Sequence, residues 1–78
     1  MPTGIRLAIK SQAYKRLGDR IRQSRLSAGL TQENLASLTG LGHDAVSRLE
    51  LGRSRVEVMV LVKLAEALCQ DVNALLSD

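Results

Sequence analysis

The chain has 78 residues, 45% hydrophobic and 24% charged, with a formal net charge of +3. A chain this short supports one core, since it buries only about 60% of its unfolded surface. No apolar run approaches the ~20 residues that span a bilayer, and the first ten residues lack the features of a secretory signal. One cysteine, Cys69, beside one histidine builds neither an internal disulfide nor a four-ligand zinc site. The expectation is a cytoplasmic, nucleoid-associated protein with no metal and no cofactor.

The charge is uneven along the chain. Residues 1–55 hold ten Lys/Arg against four Asp/Glu, and residues 56–78 hold one against four. The basic part is the part suited to a polyanion, although an unevenly charged solvated surface would look the same on this ground alone. Tyr14 is the sole aromatic residue. The core must therefore be built from Leu, Val, Ile and Ala, which argues against the aromatic platforms that stack single-stranded bases.

In chain order, Ile5, Leu7 and Ile9 alternate with Arg6, Ala8 and Lys10 behind Pro2 and Gly4. A period of two suits an extended arm over residues 1–10, and a disordered tail or an extension of the first helix fits the same residues. The domain proper is taken as residues 11–78. Ser11 can cap a first helix with Tyr14, Leu17 and Ile21 on one face, stopped at Ala28-Gly29. Thr31, with Asn34 three residues on, opens a short second helix whose inner stripe is Leu35, Ala36 and Leu38 and whose stop is Gly40.

Only Leu41 and Gly42 precede a third helix, His43 to Leu51, with Val46 and Leu49 facing inward and Gly52 closing it. So tight a connection makes the second and third helices cross steeply. Arg53-Ser54-Arg55 follows as a basic loop. Glu57 to Leu68 reads as a fourth helix with Val58, Leu61, Leu64, Ala65 and Leu68 inward, and Asp71 caps a fifth carrying Val72, Leu75 and Leu76. The fold class expected is all-α, a compact five-helix domain.

Read together, Leu30-Thr31-Gln32-Glu33-Asn34-Leu35-Ala36, Gly40-Leu41, Val46-Ser47-Arg48-Leu49-Glu50-Leu51-Gly52 and Leu61 to Leu68 resemble the repressor/Cro helix-turn-helix family, also called the XRE family. The resemblance runs from about Leu17 to Leu76 without a gap, and it implies a lambda-repressor-like fold. The spacing also has a physical basis. Ala36 is small where the third helix must approach, Gly40 permits the turn, and Val46 fills the angle between the helices. The resemblance further implies an ion pair between Arg25 and Glu50, tying the first helix to the end of the third.

The resemblance places the third helix in the major groove of double-stranded DNA, which makes His43, Asp44, Ser47 and Arg48 the base-reading candidates. Arg48 can give two parallel hydrogen bonds to guanine, Ser47 can meet base or phosphate, and His43 can donate or accept. Asp44 suits a cytosine amino group, but it equally suits the positive end of the helix dipole. Gly42 departs from the family, which usually has a serine or threonine cap there. Phosphate contacts are expected from Gln32 at the start of the second helix and from Arg53, Ser54 and Arg55. Arg20 and Arg22 are further candidates, with simple solvation as the plainer reading.

One such unit reads few base pairs, so a homodimer on an inverted repeat is expected. The fourth helix has more apolar residues than one inward stripe hides, which points to Met59, Val60, Leu75 and Leu76 as the dimer surface, against a wide monomer core. The function expected is a DNA-binding repressor or restriction-modification controller. The alternative is an antitoxin that also binds a protein toxin. An enzyme is not expected, because one His and one Cys supply no catalytic set and no phosphate-cradling glycine loop occurs. Cys69, where the family often has glycine, reads as a packing residue.

Overall fold

A computed structural model describes the backbone of residues 3–76 and the side chains of residues 12–76. Five helices follow one another: α1 (Thr3–Ser27), α2 (Gln32–Thr39), α3 (His43–Glu50), α4 (Val58–Leu68) and α5 (Val72–Leu76). Among the described residues all regular structure is helical. Leu17 and Ile21 of α1, Leu35 and Ala36 of α2, Val46 and Leu49 of α3, Leu61, Leu64, Ala65 and Leu68 of α4 and Leu75 of α5 form one buried cluster. Each large aliphatic side chain in it contributes about 1.5–3 kcal/mol relative to exposure, so every helix is held by what it buries and not by its own propensity.

Local chemistry sets the helix ends. Thr31 Oγ1 accepts from the Asn34 amide at 3.0 Å while Asn34 Oδ1 accepts from the Thr31 amide at 3.0 Å, a reciprocal box in which asparagine stands where Glu or Gln is usual. Gly40 ends α2 at φ 75°, in the left-handed region that costs a glycine nothing. α3 starts at Gly42 with no side-chain cap. α4 ends at Cys69, whose φ of 54° makes it the one non-glycine residue of positive φ among the described residues.

Several expectations are corrected here. The period-two segment is not extended: α1 already begins at Thr3 and passes residue 10 and Ser11 without a break, so Ser11 is an interior residue and not a cap. Leu, Ala, Lys, Arg and Gln are good helix formers, and an alternation only six residues long, Ile5 to Lys10, does not outweigh them. The side chains of Ile5, Leu7 and Ile9 lie outside the described residues. Leu38 is exposed, the α2 stripe being Leu35, Ala36 and Thr39. In α4 the inward stripe is displaced: Val58 is 74% exposed, whereas Val60 packs against the core. Cys69 is exposed, so it is not a buried packing residue.

One close approach organises the first three helices. A Cβ at Gly18 would overlap the Leu49 carbonyl oxygen and come within 2.8 Å of that of Glu50, so α1 lies with its backbone directly on the end of α3.

Candidate nucleic-acid interface

The interface is built on the angle between α2 and α3, and a buried polar network fixes that angle from behind. Arg25 Nε donates to Glu50 Oε2 at 2.6 Å, and Arg25 Nη2 donates to Glu50 Oε1 at 3.0 Å. Arg25 Nη1 reaches the Leu30 carbonyl at 2.9 Å, and Gln32 Nε2 donates to Glu50 Oε1 at 3.0 Å. The end of α1, the turn after it, the start of α2 and the end of α3 thus converge on one arginine–glutamate pair. The Arg25 and Glu50 side chains are 9% and 2% exposed. A two-pronged pair of this kind joins charge to fixed geometry. The hydrogen bond to Glu50 holds the Arg25 guanidinium above its ordinary pKa; burial opposes that and the Glu50 charge adds to it.

The sign follows for pH. A cation of raised pKa contributes in full below its unfolded value and loses that contribution only as pH rises through the folded one. That window is strongly alkaline, so the Arg25 contribution does not respond to pH near neutrality.

On the outer side of α3, His43, Asp44 and Arg48 are exposed and Ser47 is half-buried. They rise from a helix whose inner face is anchored by Val46 and Leu49, so their positions are set by the core. The chain leaves α3 through Leu51 and Gly52, and the Arg53 amide donates back to the Arg48 carbonyl at 2.9 Å. This bond turns the loop back against α3. Arg53 and Arg55 are exposed and Ser54 is half-buried. Arg48, Ser54 and Arg55 share a shallow depression with Glu57 and Val60. Arg48, Arg53 and Arg55 make no ion pair among the described residues. Exposed cations left without an ion-pair partner on a helix and the loop that follows it suit a polyanion.

The structure separates the remaining candidates. Gln32 is half-buried and turned to Glu50, so its amide is engaged within the protein. Arg22 is exposed and Arg20 half-buried on α1, Arg20 beside Arg16, Asp19 and Gln23. Leu75 is only 2% exposed and belongs to its own chain's core, so it is not a surface residue. Val60 is half-buried against the core, beside the buried α4 residues Leu61, Leu64, Ala65 and Leu68, and it lines the depression shared with Arg48. Met59 and Leu76 are the members of the expected dimer surface that stand out from the protomer, at 64% and 56% exposure, with Val58 beside Met59. Sequence reasoning missed Gly18 and Lys15. A lone glycine inside a helical run was the available signal for Gly18.

No group of three or more metal-ligating side chains occurs among the described residues. No helix among them is long and apolar enough to cross a membrane.

The family described as "Helix-turn-helix domain" matches residues 16–76. A curated relative, the uncharacterized transcriptional regulator in the ATPase CF(0) region of Rhodospirillum rubrum, is 34% identical over 62 residues, covering 80% of this chain. The chain spans 57% of that relative's length. Among solved structures, the restriction-modification controller protein C.AhdI from Aeromonas hydrophila superposes with a TM-score of 0.77 at 37% identity, covering 80% of this chain and 94% of that one. The clp gene regulator ClgR from C. glutamicum superposes with a TM-score of 0.78 at 30% identity, covering 82% of this chain and 83% of that one.

Proposed function

Because the chain belongs to the helix-turn-helix domain family, among regulators of the XRE type, we propose that it binds double-stranded DNA by sequence as a dimeric repressor or controller. The observation that carries this reading is the exposed outer face of α3, whose Arg48 is continuous with the unpaired cations Arg53 and Arg55. α3 enters the major groove. His43, Ser47 and Arg48 read base edges, while Asp44, in the first turn, complements the helix dipole or accepts from a cytosine amino group. Arg53, Ser54 and Arg55 grip the adjacent phosphates and set the register. Gln32 contributes chiefly by holding Glu50, and the α2 amides behind it meet a phosphate directly. The restriction-modification role of the C.AhdI controller favours a controller among the regulatory roles open to the chain.

Arg48→Ala should lower specific affinity by about 1–3 kcal/mol and flatten preference at one base position, because a two-pronged base contact is lost. Titrations on selected and random duplexes measure this. An equal loss on both would reassign Arg48 to the phosphates, and unchanged binding on both would remove α3 from the interface.

The dimer forms through the outer face of α4 at Val58 and Met59, with Leu76 of α5. These three large apolar side chains are exposed in the protomer. A two-fold axis brings the same patch from each subunit together. Met59→Lys should place two charges in that contact, yield a monomer in sedimentation and weaken paired-site binding about tenfold or more, while the fold persists. A Met59→Lys protein that stays dimeric would assign the contact elsewhere.

A further inference from the structure

Lys15, on α1, stands outside the residues assigned to DNA above. A Cβ at Gly52 would lie 2.6 Å from Lys15 Cα and 3.1 Å from Lys15 Cβ, so the lysine stem begins against the turn that leaves α3. The next residue in that turn is Arg53, bonded back to the end of the reader helix. Arg55 then returns to the depression it shares with Arg48. Arg48, Arg55, Arg53 and Lys15 therefore make one basic strip from the reader helix across the loop and onto α1. All four are exposed, and none makes an ion pair among the described residues. Glu57 lines the depression without pairing with either arginine.

We propose that this strip tracks the DNA backbone outward from the half-site, with Lys15 neutralising a phosphate that lies beyond the base pairs α3 reads. The inference rests on the DNA-binding reading and deepens it. Four adjacent cations left unpaired would repel one another in the free protein, and a row of phosphates relieves that repulsion. A longer protein-bound tract of backbone follows, so the flanks of the operator contribute to affinity without contributing sequence.

The test compares an operator duplex trimmed at the outer edge of the half-sites with one extended by about five base pairs of arbitrary sequence on each side, titrated over a range of salt. The parent protein should bind the extended duplex more tightly. Lys15→Ala should lose most of that gain and shallow the salt dependence by about 0.9 in slope, and Lys15→Glu should lose more. Lys63→Ala, which removes an exposed cation of α4, should match the parent on both duplexes. If the parent binds specifically and Lys15→Ala keeps both slope and flank gain, the strip ends at Arg53 and this proposal falls alone. If the parent binds no duplex by sequence, the DNA reading falls and takes the proposal with it.

Discussion

Glu50→Ala is expected to destabilise the protein by about 3–5 kcal/mol, because it leaves the Arg25 guanidinium buried and without its countercharge. The Glu50 carboxylate receives two donors from Arg25 and one from Gln32, and its side chain is 2% exposed. Stability of small domains is of order 5–15 kcal/mol, so the variant should be near its folding limit at room temperature. The paired variant Arg25→Leu with Glu50→Leu removes both charges and should retain more stability than Glu50→Ala. Urea unfolding of the parent and both variants measures this. A loss under about 1 kcal/mol for Glu50→Ala would mean that water replaces the carboxylate and that the network does not hold α3 to α1.

Gly18→Ala is expected to cost about 3 kcal/mol, at the upper end for overpacking, because the added methyl group meets backbone and not a side chain that can turn away. The obstructing Leu49 carbonyl also accepts the Gly52 amide at 3.0 Å, so moving it undoes the end of α3. For a domain of this size the loss corresponds to a fall in Tm of about 12–24 °C. Gly29→Ala separates crowding from backbone strain. Its φ is +73° but no atom lies within 4 Å of an added Cβ, so it should cost only about 1 kcal/mol. Equal melting of Gly18→Ala and parent would show that α1 does not sit on α3 as described.

The helices that carry the candidate interface were legible because their signals are local. Thr31 with Asn34, Gly40 at the turn and Gly52 after α3 each require particular chemistry at particular spacing. The inward positions of α2 and α3 followed from periodicity, except at Leu38, where a residue that fits the period lies just outside the contact. α4 was harder. Val56 to Val62 is apolar at six of seven positions, so hydrophobicity alone could not tell that Val60 turns inward and Val58 outward; the packing of α4 on α2 and α1 decides it. Leu75 and Leu76 are neighbours of equal hydrophobicity, and only the packing of α5 on α1 and α4 buries the first and exposes the second. The place of Gln32 was hidden for a similar reason, since its partner Glu50 lies 18 residues away. The extension of α1 back to Thr3 was obscured by an alternation that helix and strand both accommodate.

Selection from a random duplex library, followed by sequencing of the bound fraction, tests most directly whether the outer face of α3 reads DNA. The expected product is an inverted repeat with half-site centres about 34 Å apart, and selection with Arg48→Ala should lose preference at one symmetric pair of positions while the rest of the motif persists. Recovery of no enriched motif by the parent protein, with equal binding to all duplexes, would contradict sequence reading by α3.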